Sequence, residues 1–238
     1  MLPKAGAKMK SEIWIQQFAK ADFHEPVAIV GSPGFRSIGK LAVDSLIAQT
    51  KAQLLAGLYS IHLPSIYQTS PSYAADPLLP GIGGSIVESG SIDLPKIQFY
   101  ACSDPPLIFV MGHHANFSGQ YKVAEKVVEF LADLGAKQMI VLAGYGSKES
   151  KICCAATTQK ALDDMKEKFG ISIGYKGPFM GFSGLVFGLS KLKGIDAVCF
   201  FAGTEPVEED LEFPDTAASV RVVELTNKIL NLKPQDRQ

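Results

Sequence analysis

Four short apolar runs along the chain share one pattern. Each run lacks polar alternation, and a glycine follows its last apolar residue directly. Continuous apolar runs of this length are typical of strands covered on both faces, as in parallel sheets. The runs are 27–30, 107–111, 139–143 and 197–202, and the glycines are Gly31, Gly112, Gly144 and Gly203. The pattern therefore predicts four parallel strands.

Residues at helical spacing predict four helices between and after these strands. Gly135 and Gly170 mark the ends of two of them, and Pro214-Asp215-Thr216 begins the last. The predicted buried faces are Ile38, Leu41, Ala42, Ser45 and Gln49; Val123, Val127, Phe130, Leu131 and Leu134; Ala161, Leu162, Met165 and Phe169; and Val222, Leu225, Ile229 and Leu232. Alternating strands and helices require crossover connections, so we expect an α/β fold with helices on both faces of the sheet.

The stretch from residue 54 to residue 100 breaks this alternation. It is rich in Gly, Pro and Ser, with weak strand signals near 58–63, 86–88 and 97–101. We interpret it as a strand plus a hairpin-like excursion. We expect residues 1–238 to form a single α/β domain, with 1–24 as an N-terminal extension and 232–238 as a flexible tail.

Parallel strands place the loops that follow them along one edge of the sheet. Here these loops are 32–36, 113–119, 145–151 and 204–213. Ligands of open α/β sheets bind beyond the carboxyl ends of the strands. We therefore expect any functional site at this edge.

Composition and charge narrow the class of protein. The chain has 238 residues, of which 47% are apolar and 20% charged, and its net charge is -1. A balance of this kind argues against nucleic acid as the main partner. The apolar runs are too short to span a bilayer, and the lysine-rich start lacks the apolar core of a secretory signal. Four cysteines without C-x-x-C spacing (Cys102, Cys153, Cys154 and Cys199) indicate reduced, mostly buried thiols and a cytoplasmic protein.

The loop after the first strand nearly matches a phosphate-binding P-loop. Residues Gly34 to Lys40 satisfy G-x-x-x-x-G-K, but Leu41 stands where a Ser or Thr hydroxyl would hold magnesium. We therefore favour a glycine-bearing turn over NTP hydrolysis. Anion binding by the N–H groups at the helix start stays open. The candidate ligand-binding residues of this loop are Gly31, Ser32, Gly34 and Arg36.

The other edge loops contribute the candidates His113, His114, Gly144 and Glu205. Adjacent histidines on a loop point apart and make a poor metal site, so they are either a general base or polar residues bonded to the backbone. Glu205 begins an acidic run to residue 212, which is either a solvated loop or a contact for a basic partner. We assign no catalytic residue, no metal and no cofactor.

A further motif surrounds Ser183. The sequence Gly181-Phe182-Ser183-Gly184 resembles a nucleophile elbow, but Leu185 stands where the final glycine belongs. Gly181, Gly184 and Gly188 are spaced by about one and two helical turns. This spacing favours a helix that approaches a neighbouring element closely.

Together these motifs resemble the proteasome assembly chaperone family, which is found widely in prokaryotes. The resemblance extends from about residue 27 to residue 230. The residues that carry it are Ile29 to Gly34 with Gly39; Tyr121 to Gly135; Val141 to Gly144; Gly181 to Leu189; Gly194 to Cys199; Glu205; Pro214-Asp215; and Ala217-Ala218.

The resemblance implies a three-layer α/β sandwich with a mainly parallel central sheet, similar to the nucleoside phosphorylase fold. Eukaryotic relatives pair as chaperones for assembly of the proteasome α-ring, and prokaryotic members form homo-oligomers. Some archaeal members bind the proteasome through a C-terminal hydrophobic-Tyr-X tail. This chain ends Asp236-Arg237-Gln238, so we expect it not to use that route.

Two functions follow as hypotheses. The first is a non-catalytic protein-binding protein that acts as a homo-oligomer. Its expected partner is itself, with proteasome subunits as a further candidate, and we expect it to bind neither nucleic acid nor membrane. Its expected exposed anchors are Phe35, Tyr67, Tyr73, Phe117, Phe179 and Phe182. The alternative is a small-molecule enzyme or a nucleotide- or anion-binding protein that uses the strand-end loops.

Overall fold

A computed structural model describes residues 11–20, 23–64, 85–88, 90–205, 207 and 213–233 of the chain. Its strands are β1 (Ile13–Gln17), β2 (Val27–Gly31), β3 (Gln53–Ser60), β4 (Ile86–Glu88), β5 (Ser91–Asp93), β6 (Ile97–Ser103), β7 (Pro106–Met111), β8 (Gln138–Gly146), β9 (Ile152–Ala156), β10 (Ser172–Ile173) and β11 (Asp196–Thr204). A 3₁₀ turn, Phe35–Ser37, precedes the helices α1 (Ile38–Thr50), α2 (Gln120–Asp133), α3 (Gln159–Phe169), α4 (Gly181–Leu192) and α5 (Thr216–Leu230).

One large sheet carries nine strands in the order β1-β3-β6-β7-β2-β8-β11-β9-β10. The four predicted apolar strands are β7, β2, β8 and β11, and they lie side by side and parallel. Outside them, β6, β3 and β1 continue antiparallel, and β9 is antiparallel to β11. The predicted parallel arrangement is therefore confirmed at the centre, while the sheet as a whole is mixed.

The helices cover both faces of this sheet and make it a three-layer α/β sandwich. Helices α1, α3 and α5 pack on the face that includes Ile29, and α2 and α4 pack on the face that includes Ala28 and Val30. Thr158 and Asp215 accept hydrogen bonds from backbone N–H groups in the first turns of α3 and α5. No helix in the described part of the chain is long and apolar enough to cross a membrane.

The apolar pattern does not predict β1, β9 or β10. Strand β1 lies inside the expected N-terminal extension, yet it pairs with β3 from Ile13 opposite Ser60 to Gln17 opposite Ala56. Residues 1–10 and 21–22 of that segment, and 234–238 of the expected tail, lie outside the described residues. In β9, Cys153 and Cys154 face opposite helix layers, and all four cysteines are free, as predicted.

Between β3 and β6, the predicted excursion contains an antiparallel hairpin. Strands β4 and β5 form a separate two-stranded sheet in which Val87 is opposite Ile92. Residues 65–84 and 89 lie outside the described part of the chain.

Helix α1 lies unusually close to the sheet. A Cβ atom on Gly39 would overlap the backbone oxygen of Leu142 in β8, and one on Gly31 would overlap the backbone oxygen of Gly39. The buried face of the helix accordingly centres on Gly39, Ala42, Val43 and Leu46 together with Ile38. The predicted face was therefore wrong at Ser45, which is exposed, because the sheet-facing side is set by the glycine contact. This contact brings the first turn of α1 to the ends of β2 and β8.

Candidate functional site

A pocket of about 710 Å³ opens where the parallel strands end. Its walls are the loop after β2, residues 114–116 after β7, the end of β8, the segment between β10 and α4, and the first turns of α1 and α4. The edge predicted from the apolar runs therefore carries a pocket. Ser32, Gly34, His114 and Gly144 of the candidate set line it.

Two buried hydroxyls join opposite walls of the pocket. The Oγ atoms of Ser32 and Ser183 share a hydrogen bond at 2.7 Å, and both residues are buried. A Cβ atom on Gly112 would crowd both Ser32 and Phe182, so the end of β7 also lies against this junction. Ser183 lies in the first turn of α4, in the helix that the glycine spacing predicts. Its contact with Ser32 connects α4 to the loop after β2.

The helix-packing interpretation of the glycines around Ser183 holds in part. Added Cβ atoms at Gly181 and Gly184 would clash with the backbone oxygens of Ala115 and Phe179. A Cβ atom at Gly188 would meet nothing within 4 Å. The first two glycines therefore permit close approach at the pocket, whereas Gly188 has open space around it.

Aromatic rings form the wall nearest β11. Tyr175 stacks on Phe201 with ring centroids 4.4 Å apart, and Phe179 meets Phe201 edge-on at 4.8 Å. Tyr145 meets Tyr175 edge-on at 5.9 Å. The Tyr175 hydroxyl donates to the backbone oxygen of Pro178 at 2.6 Å, which fixes the ring. Phe179 was an expected anchor and Tyr145 lies in a predicted edge loop, but the sequence does not predict that Tyr175 and Phe201 join them in one wall.

Arg36 lies beside the pocket but is bonded away from it. Its Nη1 donates to Thr204 Oγ1 at 2.9 Å, to the Glu205 backbone oxygen at 2.8 Å and to Asp215 Oδ2 at 3.3 Å. Its Nε donates to the Phe213 backbone oxygen at 2.9 Å. The guanidinium thus connects the 3₁₀ turn to the end of β11 and the start of α5, and it does not line the pocket.

The turn that carries Arg36 has an uncommon backbone conformation. Arg36 and Ser37 are both left-handed, with φ of 50° and 53°. Such values are unfavourable for non-glycine residues and persist where the surroundings hold them. Here the Asp215 N–H donates to the Arg36 backbone oxygen at 3.0 Å, in addition to the side-chain bonds.

The Asp215 carboxylate is the acceptor on which this network converges. Burial raises its pKa, but hydrogen bonds from Thr204 and the Ala218 N–H, and the charges of Arg36 and Arg221, outweigh burial and hold the pKa below its ordinary value. Asp215 is therefore ionised in the folded protein at neutral pH. It serves both as the cap of α5 and as the partner of Arg36.

The two adjacent histidines have different environments. His114 lines the pocket, and its Nδ1 accepts a hydrogen bond from the Asn116 N–H at 3.1 Å, so Nε2 carries the proton in the neutral ring. Burial, and after it the charge of the neighbouring His114, lower the pKa of His113 to about 4. A hydrogen bond with the Pro64 backbone acts in the opposite direction. His113 does not line the pocket. Among the described residues, no group of His, Cys, Asp and Glu suits a metal ion.

The remaining candidates have structural contacts. Lys40 of the P-loop-like motif pairs with Asp44 on α1 at 2.7 Å and does not line the pocket. A Cβ atom on Gly144 would crowd Ile38 and the Phe35 backbone, and Gly31 lies under α1. Glu205 reaches the network through its backbone oxygen, and most of the acidic run after it lies outside the described residues.

The expected aromatic anchors are exposed less than predicted. Phe117 and Phe182 are buried in the core between the sheet and α2 and α4, so their prediction as exposed anchors was wrong. Phe35 and Phe179 are half-buried and line the pocket. Tyr67 and Tyr73 lie outside the described residues.

Comparison with known sequences finds one family and a curated relative. The sequence model of the PAC2 family matches residues 28–236. Uncharacterized protein MJ1210 of Methanocaldococcus jannaschii is 26% identical over 219 residues, which cover 88% of this chain and 77% of that protein.

Comparison with solved structures finds the same fold in three proteins linked by description to the proteasome. PbaB of Pyrococcus furiosus, described as an archaeal proteasome activator, matches with a TM-score of 0.76 at 24% identity, over 94% of this chain and 91% of that one. PbaA of the same organism, described as an archaeal homolog of proteasome-assembly chaperone, matches at 0.71 and 20%, over 94% and 88%. Rv2125 of Mycobacterium tuberculosis, described as a proteasome-assembly chaperone homologue, matches at 0.61 and 16%, over 88% and 87%. The predicted α/β fold is thus confirmed, whereas the likeness to nucleoside phosphorylases stays a prediction.

Replacing Asp215 with Asn tests the network around Arg36. Asn keeps the cap of α5 but removes the charge that pairs with Arg36, so the variant should lose about 1–3 kcal/mol of unfolding free energy at pH 7. Because folding lowers the carboxyl pKa, this contribution is complete above about pH 4 and is lost as the pH falls through the folded-state pKa. Urea unfolding between pH 7 and pH 3 measures both effects.

Asp44→Asn is the matched control, because Asp44 also pairs with a cation but lies at the surface. It should change stability by less than about 1 kcal/mol. Equal losses in the two variants, or an Asp215→Asn deficit that stays constant down to pH 3, would contradict this assignment.

Proposed function

The chain belongs to the PAC2 family, and from that membership we propose that it is a cytoplasmic, non-catalytic protein that binds proteasome subunits and acts as a homo-oligomer. The observation that carries the proposal is the family match over residues 28–236. Solved relatives described as a proteasome activator and as proteasome-assembly chaperone homologues share the fold along nearly the whole chain. We further propose that the entire chain works as one domain.

The exposed β4–β5 hairpin supports the oligomeric part of the proposal. Val87 and Ile92 are opposite each other in the hairpin and are 71% and 68% exposed, and Leu94 beside them is 53% exposed. An isolated two-stranded hairpin is only marginally stable in water. A cluster of exposed apolar side chains is typical of a surface that another protein surface covers. We assign this hairpin to contact between copies of the chain.

The pocket chemistry favours the non-catalytic hypothesis over the enzyme alternative. Its described lining includes one imidazole, that of His114, and no carboxylate. The other titratable side chains that line it are Tyr145, Tyr175 and Lys176, and the Tyr175 hydroxyl already donates to the Pro178 backbone oxygen. The Ser183 hydroxyl is hydrogen-bonded to the Ser32 hydroxyl, and a serine hydroxyl does not act as a general base that would activate Ser183 as a nucleophile. These features support binding more than turnover.

Binding to proteasome subunits is tested with separately purified subunits of an archaeal proteasome. The tagged chain should retain the α-subunits on a column and should not retain the β-subunits, which serve as the control. Isothermal titration should then give a saturable heat with α-subunits. A chain that retains neither subunit, or both equally, would overturn the proteasome assignment.

The hairpin interface is tested by sedimentation velocity. The native chain should sediment as an oligomer, and the double variant Val87→Lys, Ile92→Lys should sediment as a folded monomer, because paired lysines cannot be buried against their symmetry mates. Leu192→Lys is the matched control, since Leu192 is 75% exposed at the end of α4, and it should leave the oligomer intact. A monomeric native chain, or an oligomer unaffected by the double variant, would refute this interface.

A further inference from the structure

The pocket at the strand ends has no role in the proposed binding of proteasome subunits. Its volume of about 710 Å³ lies within the range of pockets that hold small molecules. Three features of its walls indicate the chemistry of a ligand: the helix starts, the aromatic rings and the charge balance.

Two helices begin at the pocket with no side-chain cap. The first turns of α1 and α4 line the pocket, and at neither N-terminus does a capping side chain accept a hydrogen bond from the backbone N–H groups, although the Phe182 N–H of α4 donates to the Ala115 backbone oxygen at 2.8 Å. The start of a helix carries free N–H groups and partial positive charge, which favour an anion.

Ser37 gives a second, independent indication at the same place. It lines the pocket at the start of α1 and is only 3% exposed. Its hydroxyl makes no hydrogen bond with any side chain or backbone group of the described residues. A pocket-lining hydroxyl that makes no such bond is available to donate to or accept from a group of a ligand.

The aromatic wall indicates a planar ring system. Tyr145, Tyr175, Phe179 and Phe201 contact one another edge-on or stacked and line one side of the pocket. Aromatic side chains favour stacked and edge-on contacts with other rings. A flat apolar ligand group would complete this cluster.

The charges around the pocket favour an anion at its polar end. Within the described lining there is no carboxylate, while Lys176 lines the pocket and makes no ion pair with any described residue. Arg36 beside the pocket is already paired with Asp215.

We propose that this pocket binds a small molecule that combines a planar aromatic ring with an anionic group. The anion lies at the first turn of α1 near Ser37, with Lys176 as the cation of the pocket lining, and the ring lies against Tyr145, Tyr175 and Phe179. No described residue of the β4–β5 hairpin lines this pocket.

The test is thermal denaturation and titration calorimetry of the full chain with phenyl phosphate and AMP. Both should raise the melting temperature saturably, because a ligand that binds the folded state stabilises it. Adenosine and inorganic phosphate each supply one half of the recognised chemistry, so each should bind at least about tenfold more weakly than AMP. Lys176→Gln should weaken AMP binding by up to about fivefold and leave adenosine binding unchanged.

Two glycines of the pocket wall leave room for an added Cβ atom. Cβ atoms on Gly34 and Gly146 would lie no closer than 3.8 Å and 3.9 Å to any neighbour. Gly34→Leu and Gly146→Leu should therefore fold and should weaken AMP binding more than about tenfold. Gly188→Leu adds the same side chain to open space on α4 outside the pocket, and it should bind normally.

Ligand binding by the pocket is measured independently of any binding to proteasome subunits. Binding of AMP and phenyl phosphate that both pocket-filling variants abolish supports it. No thermal shift with either compound, or binding that persists unchanged in Gly34→Leu and Gly146→Leu, overturns it.

Discussion

The backbone of α1 lies directly on the ends of two neighbouring parallel strands, and the arrangement of the site depends on that contact. Gly31 at the end of β2 and Gly39 in the first turn of α1 leave no room for a side chain between helix and sheet. Helix α1 therefore begins at the carboxyl ends of these strands, where its first turn lines the pocket. The 3₁₀ turn before it is fixed by Arg36, which bonds the turn to β11 and α5.

The centre of the fold was predictable because burial on both faces leaves a sequence signal. Strands β2, β7, β8 and β11 each contain a continuous apolar run. Parallel strands between two layers of helices bury such a run on both faces. The flanking strands lack this signal: β1 is partly exposed and ends in two glutamines, and β10 has two residues. Their pairing is set by neighbours in the sheet, which a single sequence does not reveal.

The site was predictable as a place but not as a set of contacts. The convergence of loops correctly places Ser32, Gly34, His114 and Gly144 at the pocket. Arg36 was predicted as an anion ligand from its place in the loop after the first strand. Its partner Asp215 lies far along the chain, and only the fold brings the two together. Of the aromatic wall only Phe179 was named in advance, because the rings come from three separated segments that the fold brings together. No described residue of the exposed hairpin lines the pocket, so the two proposed binding roles rest on different residues.

The central claim is that direct backbone contact at Gly31 and Gly39 fixes the position of α1 on the sheet and shapes the pocket wall. The most direct measurement is the unfolding free energy of Gly39→Ala against Gly188→Ala, since both changes add one methyl group to a helix. Alanine raises helix propensity by about 1 kcal/mol at either position. We predict that Gly188→Ala is neutral or stabilising and that Gly39→Ala loses about 1–3 kcal/mol through overpacking. Equal stabilities of the two variants would contradict the account.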